Sequence, residues 1–210
     1  MNGALIVIAK EPVAGRVKTR LVPPLTGNEA ADLARAALSD TLRAAAAVDA
    51  RQRVLALDGR PGPWLPRGWR VVAQPAGTLD VRLVAAFGAA AGGPALLIGM
   101  DTPQVRPAQL AAFDPDGHDA CLGLAEDGGY WAIGLRNPAL AAEVIGGVPM
   151  STSHTGAEQL RRLHAAGLRV QLLDTLADVD TIDVAYRVAA AAPSTEFAAA
   201  LRGLDPAVAV

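Results

Sequence analysis

Short apolar runs alternate along this chain with alanine-rich segments of helical period. Seven stretches read as strands: 4–9 (ALIVIA), 53–57 (RVLAL), 69–73 (WRVVA), 94–100 (PALLIGM), 119–125 (DACLGLA), 130–135 (YWAIGL) and 168–174 (LRVQLLD). Several are apolar at every position, the pattern of strands covered on both faces. The intervening segments predict helices over 26–48, 78–91, 155–167 and 181–192. Thr26 with Glu29 and Thr155 with Glu158 have capping-box spacing, and Gly167 closes the second of these helices. Strand, helix and strand in succession imply parallel pairs with crossover helices, so the expected fold is a three-layer α/β/α with a mostly parallel central sheet. The adjacent strands 119–125 and 130–135, joined by EDGG, predict a local antiparallel excursion. The proline-rich stretch 58–68 reads as a connection rather than a linker, no internal repeat is visible, and 1–210 is expected to form a single domain.

Composition narrows the function classes. With 51% hydrophobic residues in 210, the chain can bury a sizeable core. A formal net charge of −2 gives no global basic field for nucleic acid or an anionic membrane. Cys121 is the single cysteine, which excludes an internal disulfide and a cysteine-based zinc site, and three scattered histidines do not make one either. The apolar run at 4–9 is too short for a signal peptide, and no stretch reaches the ~18–20 residues needed to span a bilayer. A cytoplasmic protein is the expectation. A homodimer is left open.

In open α/β sheets, ligands collect beyond the carboxyl ends of the strands, where 10–20, 74–82, 101–103 and 126–129 fall. The first of these concentrates Lys10, Arg16, Lys18 and Arg20 around Gly15, a local cluster of cations in a chain of net charge −2. A strand followed by such a turn suits a polyphosphate, although neither a Walker loop nor G-x-G-x-x-G is present. The run LLIGMDTPQV delivers Asp101 to the edge of a buried strand. A carboxylate facing a phosphate-shaped basic loop reads as a Mg²⁺ ligand, and LADVDTID offers a second in Asp180, with Asp178 in reserve. Helix capping is the ordinary reading of both aspartates.

KEPVAGRVKTRL, GMDTP, AEDGGYWAIGL, VPMSTSHTG and LADVDT occur here in the order of a bacterial family of nucleotide-dependent transferases. The chain resembles that family, labelled a domain of unknown function or an arsenosugar-biosynthesis-associated glycosyltransferase, over residues 4 to 190. The wider group has the glycosyltransferase-A, or nucleotide-diphospho-sugar transferase, fold and includes molybdenum-cofactor guanylyl- and cytidylyltransferases and phospholactate guanylyltransferases. The resemblance implies a nucleotide held by Ala9, Lys10, Gly15, Arg16, Lys18, Arg20, Gln74, Gly77 and Arg82. It implies Mg²⁺ or Mn²⁺ on Asp101 and Asp180, and an acceptor pocket bordered by Asp127, Gly128, Gly129, Tyr130 and Trp131. Lys18, Arg20, Asp101 and Asp127 would carry the chemistry. The chain departs from the family where QPAGTLDVRL puts Thr78 and Asp80 in place of an acid and a glycine, while Arg82 keeps its position.

The partners so implied are a nucleotide donor and a small-molecule acceptor. Nucleotidyl transfer from an NTP, with pyrophosphate release, is the leading expectation because a triphosphate has most charge to neutralise. Sugar transfer from an NDP-sugar and a non-catalytic nucleotide-binding module are the alternatives. On ordinary grounds Tyr130 and Trp131 would be core residues, His118 and His164 surface residues, and Cys121 a small buried hydrophobe. His154 is a weaker candidate for substrate contact.

Overall fold

The computed structural model describes residues 3–90 and 92–204. Its strands are β1 (Ala4–Lys10), β2 (Gln52–Asp58), β3 (Arg70–Ala73), β4 (Ala95–Ile98), β5 (Ala120–Ala125), β6 (Tyr130–Leu135) and β7 (Val170–Leu176). The helices are α1 (Gly27–Ala46), α2 (Leu79–Gly88), α3 (Pro107–Leu110), α4 (Ala141–Val144), α5 (Thr155–Ala165), α6 (Ile182–Ala191) and α7 (Glu196–Arg202). All seven strands lie in one sheet, ordered β3-β2-β1-β4-β6-β5-β7. β6 alone runs antiparallel to its neighbours. The β5–β6 hairpin is therefore no peripheral excursion: β6 is inserted between β4 and β5 and pairs with both.

Period-two alternation divides the core between two faces. Leu5, Val7, Leu55, Leu57, Leu96 and Ile98 face α1, packing with Ala34, Leu38 and Leu42. Ile6, Val54, Ala56 and Leu97 face the other way, against Leu83, Ala86 and Phe87 of α2 and Val144 of α4. That is why β1 reads as apolar at every position. α1 is buried on two sides, and its rear face (Ala30, Leu33, Ala37) packs on Val188 of α6 and Phe197 and Leu201 of α7. Small alanines let three layers approach closely there. The proline-rich 58–68 stretch is pinned by Trp64 and Leu65, which pack on the first cluster.

The capping box of α1 forms as expected: Glu29 N–H donates to Thr26 Oγ1 at 3.3 Å, and Thr26 N–H to Glu29 Oε2 at 2.7 Å. The one expected at α5 does not. Thr155 is the first helical residue behind an N-cap at His154, its hydroxyl donates to Pro149 O at 2.9 Å, and Glu158 pairs with Arg161 instead. Gly167 follows α5 in the left-handed conformation (φ 74°), as a helix-ending glycine should. No helix among the described residues is long and apolar enough to cross a membrane.

Candidate functional site

The ends of β1, β3, β4 and β7 and the β5–β6 turn surround a cleft of about 800 Å³. All four stretches singled out beyond the strand ends contribute lining residues. One half is basic. Arg16 Nη2 lies 3.2 Å from Asp58 Oδ1, and Arg82 Nη1 lies 3.2 Å from Asp58 Oδ2, so one carboxylate at the end of β2 holds two guanidinium groups. Arg82 Nε also donates to Gly77 O at 3.0 Å. Gln74 Nε2 donates to the carbonyls of Ala9 at 2.8 Å and Ala56 at 2.9 Å. Both amide hydrogens are spent, which fixes the side chain and leaves only its oxygen to offer a ligand. Ala9, Lys10, Arg16, Lys18, Arg20, Gln74, Gly77 and Arg82 all line the cleft.

At the centre, Lys18 reaches across to the carboxylates. Its Nζ lies 2.5 Å from Asp101 Oδ1 and 3.8 Å from Asp180 Oδ1, and donates to the carbonyl of Val179. Arg20 Nη1 meets Asp180 Oδ2 at 2.9 Å. Neither aspartate caps a helix. Arg106 precedes α3, and Thr181 Oγ1 accepts from Val184 N–H at the start of α6. Asp178 also lines the cleft, and its buried Oδ1 has no hydrogen-bond partner. Burial first, then the negative charges of Asp101 and Asp127, push its carboxyl up to about 7, with Lys18 opposing.

The donor set was legible in part. In DVD, Asp180 N–H donates to Asp178 O at 2.9 Å, and the tight turn buries Val179 while both aspartates line the cleft. Among the described residues no group of three His, Cys, Asp or Glu could hold a metal ion. Mg²⁺, however, is ordinarily held by one or two carboxylates plus substrate phosphates. Asp101 and Asp180, with side chains 42% and 39% exposed and already sharing one cation, fit that mode.

The other half of the cleft carries hydroxyls. Asp127, Gly129, Tyr130, Met150, Ser151, Thr152, Ser153 and Thr155 line it, and none of these is Lys, Arg or His. Asp127 Oδ1 accepts from Gly129 N–H at 2.8 Å, an Asx turn that orients the carboxylate. Tyr130 contacts Gln159 Oε1 at 3.4 Å, and burial together with the charge of Asp80 pushes its phenol up, keeping it neutral. VPMSTSHTG carries the resemblance, yet of 150–155 only His154 is weighed as a substrate contact from the sequence. His154 lies outside the lining. A cluster of three hydroxyl residues between Met150 and a helix start was the available signal.

Trp131 lines the cleft as expected, while its indole is buried in the core and donates to Asp174 O at 3.0 Å. Two other expected site residues serve differently. Gly15 (φ 75°) turns the first loop without lining the cleft. Gly128 does not line it either: a Cβ there would stand 2.0 Å from Ser153 O, and the glycine lets the β5–β6 turn rest on the 151–156 segment, with Gly156 N–H donating to Gly128 O at 2.8 Å. In the departing 78–80 stretch, Thr78 Oγ1 bonds Asp80, and Asp80 Oδ2 accepts from Gly147 N–H at 2.8 Å. These two residues tie α2 to the 147 loop, and only Leu79 between them faces the cleft.

Solved structures share this architecture. A candidate nucleotide-diphospho-sugar transferase of Desulfovibrio desulfuricans G20 superposes with a TM-score of 0.85 at 26% identity, covering 98% of this chain and 96% of that one. A 2-C-methyl-D-erythritol 4-phosphate cytidylyltransferase from Thermus thermophilus superposes at 0.56 with 18% identity, over 92% and 100% of the two chains. Rv0371c from Mycobacterium tuberculosis H37Rv, solved in complex with manganese, gives 0.54 and 21% over 92% and 100%. The fold is thus that of the nucleotide-diphospho-sugar transferases. No curated protein matches the chain in sequence. The bacterial family described as "uncharacterized protein conserved in bacteria (DUF2064)" matches residues 31–152, more than half of the 210, and the chain belongs to that family.

Proposed function

We propose that the protein is a divalent-metal-dependent transferase that moves a nucleotidyl group from an NTP to a small hydroxyl-bearing acceptor, releasing pyrophosphate. The observation that carries this reading is the meeting of a cationic half-cleft and a hydroxyl-lined half-cleft at the paired carboxylates Asp101 and Asp180. Arg16, Arg82 and Lys10 supply charge for the donor phosphates. The neutral-to-acidic wall around Asp127 has no cation to balance an acceptor phosphate, which favours a hydroxyl nucleophile. A hydroxyl needs a base, and Asp127, oriented by Gly129, takes its proton. The acceptor oxygen bonds to the α-phosphorus, the bond to the bridging oxygen breaks, and pyrophosphate leaves with the electron pair. A divalent cation on Asp101 and Asp180 would supply charge neutralisation at the phosphates. The cytidylyltransferase of Thermus thermophilus and the manganese complex of Rv0371c, two neighbours in fold, lend support to nucleotide donor and metal alike.

Sugar transfer from an NDP-sugar is the second reading. It is favoured by the pairing of Arg16 and Arg82 on Asp58 and of Arg20 on Asp180, which leaves less free positive charge than a triphosphate calls for. The description of the Desulfovibrio neighbour points the same way. The leaving group decides. Incubation with each NTP and NDP-sugar, Mg²⁺ or Mn²⁺ and a panel of sugars and polyols should yield pyrophosphate and a nucleotidylated acceptor. Release of NDP with sugar transfer, and no pyrophosphate from any NTP, would overturn the proposal in favour of the second reading.

A further inference from the structure

Lys18 occupies the place between Asp101 and Asp180 that the proposed reaction reserves for a divalent cation. Its side chain is only 6% exposed, and its backbone is left-handed (φ 50°, ψ 35°), a conformation uncommon outside glycine. Three oxygens surround Nζ: Asp101 Oδ1, Asp180 Oδ1 and the Val179 carbonyl. Asp101 Oδ1 and the Val179 carbonyl lie within hydrogen-bond reach of the ammonium, while Asp180 Oδ1, at 3.8 Å, is held by charge alone. Seated there, the ammonium neutralises the negative charge that a divalent cation would otherwise meet.

We propose that Lys18 is a built-in counter-ion that keeps Asp101 and Asp180 from taking a divalent cation until a polyphosphate draws the ammonium away, so that metal enters with the nucleotide rather than before it. This rests on the reading of Asp101 and Asp180 as metal ligands given above. Two independent features support it. A divalent cation placed on these carboxylates with Lys18 still seated would stand beside a like charge in a partly desolvated site. The described residues also offer no cage of three side-chain ligands, so the protein alone cannot complete the coordination that donor phosphates would supply.

The test is Mn²⁺ binding to the nucleotide-free full chain, followed by electron paramagnetic resonance, in the parent, Lys18→Met and Lys18→Met/Asp101→Asn. Methionine keeps the apolar stem and removes the charge. Lys18→Met should bind Mn²⁺ at least about tenfold more tightly than the parent, within the usual range of coupling between sites, and the Asp101→Asn partner should abolish that gain. Lys18→Gln serves as the second variant if methionine unfolds the protein, judged by circular dichroism. Equal or weaker Mn²⁺ binding by the uncharged variants, or a gain that survives Asp101→Asn, would overturn the counter-ion role while leaving the metal site standing. Absence of Mn²⁺ binding by every variant, with CTP or GTP present as well, would overturn the metal reading together with it.

Discussion

The main-chain N–H of Val179 donates to the carbonyl oxygen of Asp101 at 2.9 Å, joining the segment after β7 to the segment after β4. Backbone, not side chain, thus brings Asp101 beside Asp178 and Asp180. Asp101→Asn should accordingly leave the fold intact, because the carbonyl that accepts from Val179 is untouched. It replaces a charged ligand with a neutral one, and turnover should fall by about a hundredfold or more, the scale of losing one preorganised electrostatic group. Circular dichroism, with metal-dependent product formation, checks both halves. Full activity in Asp101→Asn would remove Asp101 from the chemistry.

Gly128→Ala should damage the hydroxyl-lined wall. Its φ of +90° is costly for a residue with Cβ, and the added methyl would stand 2.0 Å from Ser153 O. Strain of this kind costs about 1–3 kcal/mol, which at about 2–4 °C per kcal/mol for a chain of this size is a readable melting shift. Acceptor KM should rise more than donor KM, since the displaced segments are the β5–β6 turn and 151–156. An unchanged melting temperature would mean that the turn does not rest on Ser153 as described.

Neighbouring aromatics on β6 should part company. Trp131→Ala removes a fully packed indole and should cost about 3–5 kcal/mol. Tyr130→Phe loses only a hydroxyl with partners at 3.4 and 3.8 Å, and should cost less than about 1 kcal/mol. Chemical denaturation of the two variants measures this, and a reversed order would mean that the indole is not packed in the core as described.

These contrasts mark what sequence could carry. The five inner strands are visible because burial on both faces leaves an apolar run, whereas the edge strands β3 and β7, largely exposed, show only as short β-branched runs. The cation cluster was visible because it interrupts such a chain. The position of β6 between β4 and β5 was not visible, since a hairpin motif specifies its own pairing and not the strand it inserts beside. Gly128 stands off the cleft for a related reason: in GGYW the pattern shows that something approaches closely, whereas only the fold says that Ser153 is what approaches it. α7 lies past Pro193 behind a local N-cap at Thr195, whose Oγ1 accepts from Ala198 N–H at 3.1 Å, a start signal that the alanine-rich period of α6 obscures. Its N-terminus is held as well by Asp40, whose carboxylate accepts from Glu196 and Phe197 N–H at 3.0 and 2.8 Å, a long-range contact that the local sequence does not show.

Asp119 makes the pH dependence of the fold testable. Its carboxylate accepts from Arg169 Nε at 3.0 Å and Arg169 N–H at 3.1 Å, which holds it down at about 2. A lowered carboxyl contributes stability above the unfolded value of ~3.9 and loses it as pH falls toward the folded one. The melting temperature of Asp119→Asn should therefore lie below the parent's at pH 6 and converge on it near pH 2. The pair is exposed, so the gap should also narrow in high salt. A gap independent of pH would assign the loss to packing instead.

The cations of the first half-cleft should not contribute equally to nucleotide binding. Arg82 is held at two points, by Asp58 at 3.2 Å and Gly77 O at 3.0 Å, and its side chain is 25% exposed. Arg16 has the Asp58 contact alone and is 51% exposed, while Arg20 is 73% exposed. A guanidinium already fixed near its bound position loses less conformational freedom when a phosphate arrives, where ordering a long side chain costs about 0.5–1.5 kcal/mol. An exposed one is also screened more strongly by salt. Arg82→Ala should therefore weaken nucleotide binding most, by about tenfold, with Arg16→Ala and then Arg20→Ala costing progressively less. Raising ionic strength should erase the Arg20 effect before the Arg82 effect. Calorimetric titration of the three variants with the preferred nucleotide at two salt concentrations measures both orders. Equal losses in all three would show that the loop acts as a diffuse positive field and that the Asp58 pairings position nothing.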